Sequence, residues 1–191
     1  IQQTKNDVVY IVHHETTTGM LNPLGTVANI AKDYGKWVFV DAISSVGGEV
    51  LNLNDLPVDL IVGSSNKCIR GVPGISFIVL SNDVVDVFSN RRRVVYYNDL
   101  LNHLTLEDGG QTPFTPPIQV MYAFREALLE LIEEGLQNRI SNYRKIADLL
   151  RDNIVDLGLK LLFNRSLYSN TMTSVIIPEG LSYSVLHDRL R

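Results

Sequence analysis

Cysteine is all but missing from this chain. Cys68 stands alone, so no disulfide can form within it, and such sparing use matches a reducing compartment. Long apolar runs are missing as well. No stretch approaches the roughly 20 residues that span a bilayer, and the first residues do not set a charged segment before an apolar one. Neither a membrane span nor a secretory signal is read here, and a cytoplasmic home is expected. Basic blocks suited to nucleic acid are also lacking: 17 basic side chains against 21 acidic give a net charge of −4, which argues against polyanion binding. What remains is 191 residues with 45% hydrophobic and 20% charged content, enough to bury a core and unlike disordered, collagen-like or coiled-coil chains. No initiator methionine precedes residues 1–7, and residues 183–191 stop inside a helical pattern without a terminator, so a piece of a longer chain is expected.

Short β-branched runs at 8–12, 37–40 and 60–62 read as parallel strands buried on both faces. Between the first two, Leu24, Val27, Ala28, Ile30 and Ala31 recur at helical spacing, and Gly35 sits where a helix would stop. Strand, helix, strand follows, with the ligand-binding loops at the carboxyl ends of the strands. The run 75–80 returns too soon for a crossover helix and is expected to be antiparallel, giving a mixed, mainly parallel α/β sheet. Two amphipathic helices are expected next, one through Val120 to Ile132 and one through Ile140 to Leu157, ended by Gly135 and Gly158. A strand near 173–177 and a helix from about Ser182 read as the start of a smaller α+β unit.

Lys67 is the most informative residue. The strand before it is apolar and Gly71, Pro73 and Gly74 follow, so it enters a tight turn in place of a solvated surface. Asp41 closes another apolar strand at the same sheet edge. A strand-end amine and a strand-end carboxylate are what pyridoxal phosphate needs, one for a Schiff base and one for the pyridinium nitrogen. The plainer alternatives are a surface lysine and a turn-capping aspartate. Ile43 is free to pack on a ring or to be ordinary core. Thr16, in the polar run 13–19, is the candidate donor to the cofactor's phenolic oxygen. His13 and His14 point to opposite sides of an extended chain, so they share no metal. Thr112 and Thr115 precede a proline-opened helix, where Thr115 is either a helix cap or a phosphate contact. The Arg91 to Arg93 run reads as solvated or subunit-facing surface, and Cys68 as a small packing residue.

Taken together, residues 13–19 with Leu21-Asn22-Pro23, then Asp41-Ala42-Ile43-Ser44-Ser45, then Ser64-Ser65-Asn66-Lys67-Cys68-Ile69 with Gly71-Val72-Pro73-Gly74, resemble the class V pyridoxal-phosphate-dependent aminotransferases. Within them the chain is most similar to the branch that moves an amino group from 2-aminoethylphosphonate to pyruvate. The resemblance implies fold type I, with residues 1–140 as the later part of a large cofactor-binding domain. Residues 141–191 become an interdomain helix and the start of a small domain. It implies that Lys67 forms the Schiff base, Asp41 partners the ring nitrogen, Thr16 lies by the ring oxygen and Ile43 packs on the ring. Ser65 or Asn66 then helps hold the phosphate. It further implies a homodimer with shared sites, Thr112 and Thr115 reaching the neighbouring subunit's cofactor, and a small-molecule amino donor and 2-oxo acid as substrates. Arg70 departs from the neutral amide expected there, and Asn66 stands where sulfur-transferring relatives carry histidine. A serine- or alanine–glyoxylate aminotransferase, or an inactive scaffold of the same fold, are the rival readings.

Overall fold

The computed structural model describes residues 7–89 and 95–190; the Arg91 to Arg93 run lies outside them. Strand β1 (Val8–Val12) leads through a short hairpin, β2 (His14–Glu15) and β3 (Met20–Leu21), to helix α1 (Leu24–Asp33). Then come β4 (Trp37–Asp41), β5 (Leu60–Ser64) and β6 (Ser76–Leu80). Helices α2 (Asn82–Ser89), α3 (Leu100–Asp108), α4 (Ile118–Glu134) and α5 (Leu136–Asp156) follow. The chain closes with β7 (Lys160–Leu161), a 3-10 turn at Arg165–Leu167, β8 (Val175–Ile176) and α6 (Tyr183–Leu190).

The main sheet has the order β1-β4-β5-β6, with β1, β4 and β5 parallel and β6 antiparallel to β5, the mixed arrangement expected from the short 64–76 connection. β7 and β8 form a separate antiparallel pair that follows α5. Among the described residues no helix is long and apolar enough to cross a membrane.

The core explains why this order holds. Leu24, Ala28 and Ala31 line one face of α1 and pack on Val38, Val40, Ala42 and Ile61. The alanines let helix and sheet approach closely, and each large aliphatic side chain buried there contributes about 1.5–3 kcal/mol. A charged strut reinforces the contact: Lys32 on α1 reaches both carboxylate oxygens of buried Asp59 at 2.6 Å, and Asp59 also accepts the Val38 N–H at 2.7 Å. Gly35, at φ 63°, supplies the left-handed residue that ends the helix and returns the chain to β4.

Of the three parallel strands only β5, with Leu60 and Ile61 both buried, is covered on both faces; β1 and β4 are not. β4 alternates between buried and half-buried residues, and the register puts Tyr10, Phe39 and Leu60 on the face away from α1. On that face Val8, Tyr10 and Ile78 are exposed. The crossover helix α1 and, over β6, Phe124 of α4 stacked on Phe77 cover one side; Phe88 of α2, edge-on to Phe39, only begins to cover the other. The hairpin β2–β3 and helices α2 and α3 were not legible in the sequence. Two-residue strands carry no periodicity, and the β-branched valines of α2 mask its helical spacing.

Two features make predictions. Gly71 donates its N–H to the Ser65 carbonyl at 2.8 Å, and a Cβ on Gly71 would sit 2.8 Å from that same oxygen. Gly71→Ala is therefore expected to cost about 1–3 kcal/mol, read as a lowered urea midpoint at unchanged slope. His13 is buried, its Nδ1 has no hydrogen-bond partner among the described residues, and burial first, then neighbouring His14, lower its pKa to about 4. Its neutral ring favours the folded state at high pH. As pH falls from 6.5 towards 4 the unfolded chain takes up the proton first, so about 3 kcal/mol of stability is lost across that window. Denaturation curves for His13→Gln should be flatter with pH over the same range.

Candidate active site

Parallel pairing brings the carboxyl ends of β1, β4 and β5 to one edge of the sheet, and the segments that leave them wall a cavity of about 550 Å³. Val12, His14, Glu15 and Thr16 come from the first, Asp41, Ile43 and Ser44 from the second, and Lys67 and Cys68 from the third. Tyr143 of α5 and the pair Thr171 and Met172 complete the wall. Four of the sequence-predicted residues, Lys67, Asp41, Thr16 and Ile43, thus face one space.

Asp41 is aimed by its own strand end. Its Oδ1 accepts the Ile43 N–H at 3.0 Å, an Asx turn that fixes the carboxylate, and its Oδ2 accepts the Tyr10 hydroxyl at 3.3 Å. A carboxylate offers about four lone-pair sites, so acceptor capacity remains for a further donor in the cavity. Lys67 follows β5 by three residues. The turn around it is closed by Arg70 N–H to Lys67 O and Gly71 N–H to Ser65 O, both 2.8 Å, with Arg70 at φ 67° in the left-handed region. Lys67 itself is exposed, contrary to the expectation that the turn withdraws it from solvent. The reason is geometric: the residue lies past the strand end, on the open side of the cavity. An amine, a carboxylate, a hydroxyl and a branched aliphatic side chain around one space are the donor set that an aromatic aldehyde with a ring nitrogen and a phenolic oxygen requires, so the residues present fit pyridoxal phosphate.

The other predicted residues lie elsewhere. Ser65 is fully buried and turned into the loop, its hydroxyl 2.6 Å from the Val72 carbonyl and 3.2 Å from that of Ile75, so it braces the turn and is no wall of the cavity. Asn66 is exposed beside Lys67, with its Oδ1 accepting the Ser64 hydroxyl at 2.8 Å. Thr112 and Thr115 are both exposed and away from the cavity; Thr112 donates to the Phe114 carbonyl at 2.8 Å. Thr115 is not the cap of α4, whose N-cap is Pro117 with no side-chain bond. Cys68 is buried, and burial, then Glu49, raises the pKa of its thiol, so it packs and does not attack.

Several residues escaped the sequence reading. His14 is buried with Nδ1 3.1 Å from the Ser44 carbonyl and Nε2 2.9 Å from the Ser169 hydroxyl. The carbonyl can only accept, so Nδ1 carries a hydrogen, and Nε2 shares a hydrogen bond with the Ser169 hydroxyl. The loop 169–173 is pulled to the site by this bond and by buried Glu49, which accepts from Asn170 N and Nδ2 at 2.5 and 2.7 Å. Buried Arg151 on α5 holds it from behind, donating to Thr173 Oγ1 at 3.0 Å and Met172 O at 3.1 Å. A polar loop so far along the chain shows no periodicity or motif that points to the site. Tyr143 falls at an apolar helical position and reads as core.

Residues 1–186 match the family model described as aminotransferase class V. The chain is 36% identical, over its whole length, to a 2-aminoethylphosphonate–pyruvate transaminase of Bacillus thuringiensis, of which it covers 53%. Among solved structures it is similar to an alanine–glyoxylate aminotransferase of Nostoc sp. (TM-score 0.88, 31% identity, 96% of this chain and 50% of that one). A ureidoglycine–glyoxylate aminotransferase of Bacillus subtilis is equally close in shape (TM-score 0.88, 29% identity, 99% and 50%). The chain spans about half the length of the curated relatives it matches. The parallel edge, the lysine turn after β5 and the acid ending β4 are therefore those of a member of the class V aminotransferases, a pyridoxal-phosphate-dependent family, and to that family the chain belongs.

Proposed function

We infer that the chain carries the lysine-bearing part of a transaminase that moves the amino group of 2-aminoethylphosphonate to pyruvate, giving phosphonoacetaldehyde and alanine. One observation carries this reading: Lys67, Asp41, Thr16 and Ile43, brought from three separate strand ends, line one cavity of about 550 Å³. The similarity to the Bacillus transaminase over the whole chain supports the choice of substrate.

Bound pyridoxal phosphate supplies an aldehyde carbon that captures amines and a ring that takes up the electron pair released at the donor's carbon. Asp41 would accept a hydrogen bond from the protonated ring nitrogen and keep it charged, using the acceptor capacity that Ile43 N–H and Tyr10 leave free. Thr16 would donate its hydroxyl to the ring oxygen, and the Ile43 side chain would pack on a ring face. Lys67 Nζ would hold the cofactor through its aldehyde carbon, and as a free amine it would carry a proton between the donor's carbon and the cofactor carbon on the other side of the shared nitrogen, general acid–base work by one positioned group. Asn66 lies beside Lys67 where it can meet the phosphate. Thr112 and Thr115, exposed and remote from their own cavity, fit a contribution to the cofactor site of a second copy in a homodimer. The same reading assigns residues 1–140 to the cofactor-binding domain and 141–191 to the interdomain helix and the start of the small domain, in a protein of the cytoplasm.

A second reading has its own support: the Nostoc neighbour with TM-score 0.88 is an alanine–glyoxylate aminotransferase. Initial rates with 2-aminoethylphosphonate and pyruvate, against alanine or serine with glyoxylate, separate the two; faster turnover of the glyoxylate pair overturns the first choice.

For the lysine, borohydride treatment of the full protein loaded with cofactor should fix a pyridoxyl group on Lys67, found by peptide mass. Lys67→Ala should lose about 10²- to 10⁴-fold in turnover, and Asp41→Ala a comparable factor while still trapping cofactor on Lys67. Turnover of Lys67→Ala near the parent rate at saturating cofactor would refute the assignment.

A further inference from the structure

Arg139, in the first turns of α5, is only 2% exposed. A buried guanidinium persists only where its donors meet acceptors, and this one finds them on two sides. Nε and Nη2 donate to Glu134 Oε2 at 2.7 and 2.6 Å, a two-pronged charge-assisted grip. Nη1 donates to the carbonyl oxygens of Cys68 and Ile69, both at 3.2 Å. These are the carbonyls of the two residues that immediately follow Lys67.

The corner between α4 and α5 makes this possible. Gly135 at φ 84° ends one helix and opens the next, so Glu134 and Arg139 face each other across the bend. The same Glu134 oxygen lies 3.6 Å from Arg70 Nη1. Arg70 in turn donates Nε to the Tyr143 hydroxyl at 3.0 Å and lies over that ring at 5.1 Å, and Tyr143 is a wall of the cavity. Arg70 keeps a left-handed backbone that a side chain disfavours, so the turn needs external bracing. One carboxylate thus ties the lysine turn on one arm and the cavity wall on the other. The Arg139 bond pulls the Glu134 carboxyl below its usual range, which keeps the pair charged at neutral pH.

We propose that Arg139, oriented by Glu134, is a positioning residue for Lys67: by holding the Cys68 and Ile69 carbonyls it fixes the peptide frame from which the amine reaches into the cavity. The proposal rests on Lys67 being the cofactor's amine. A purely structural Arg139 would tie α5 to the turn and affect only stability; a positioning one also sets how readily the amine attains the geometry for attack.

The test is the limiting first-order rate at which cofactor-free full-length protein captures excess pyridoxal phosphate. It is followed by the visible absorbance of the adduct, with the site confirmed by borohydride reduction and peptide mass. Thermal melts are recorded beside it so that rates are compared where each protein is fully folded. Arg139→Lys keeps the charge but cannot span both carbonyls and the carboxylate, and Glu134→Gln releases Arg139 from a half-exposed position. Each should slow capture by about 10- to 100-fold, as small displacements of a reacting group do. Should Arg139→Lys fail to fold, Glu134→Gln decides alone. Variants that melt lower but capture at the wild-type rate overturn the positioning role and leave the Lys67 assignment standing. A wild-type protein with no adduct on Lys67 overturns both.

Discussion

Parallel pairing of β1, β4 and β5 is the constraint on which the rest depends. It sends three strand ends to one edge, and each strand hands over one kind of chemistry there: the Thr16 hydroxyl, the Asp41 carboxylate, the Lys67 amine. The register does this through the packing of α1, whose alanines seat on Val38, Val40 and Ala42, and through the Lys32–Asp59 strut at the opposite end of the same strands. A one-residue slip between β4 and β5 would move Asp41 to the α1 side of the sheet, because side chains alternate with a period of two. The hydrophobic face that stabilises the fold is therefore also what aims the acid.

Around that frame the polar interior is organised by two buried arginines on α5. Arg139 faces the lysine turn and Arg151 faces the loop 169–173. Each donates to two main-chain carbonyls in a segment without regular secondary structure, Arg139 to those of Cys68 and Ile69 and Arg151 to those of Ser169 and Met172. Such segments have carbonyl groups that no helix or sheet satisfies, and a guanidinium with five fixed donors serves several at once. The helix α5 thus acts as a rigid rod from which two irregular walls of one cavity are suspended.

Much of the frame was legible in the sequence because it rests on local rules. The β-branched runs gave the strands, the spacing of Leu24, Ala28 and Ala31 gave α1, and the short 64–76 connection gave the antiparallel β6. The amine and the acid were legible because each ends an apolar strand, a position that topology turns into a common edge. The resemblance put Ser65 or Asn66 on the phosphate; the Ser65 hydroxyl is turned inward, onto Val72 O. Lys67 was expected away from solvent, and the openness of the cavity leaves it exposed. His14, Tyr143 and the loop 169–173 were not legible, since their roles arise from contacts between segments far apart along the chain and leave no pattern in either segment.

The bond between His14 and Ser169 joins positions 155 residues apart. During synthesis the acid and the amine leave the ribosome long before the loop that walls them in, so the nascent chain first presents an open cleft. Only when the segment after α5 has emerged can it dock on His14, so vectorial synthesis adds this wall of the cavity last among those described.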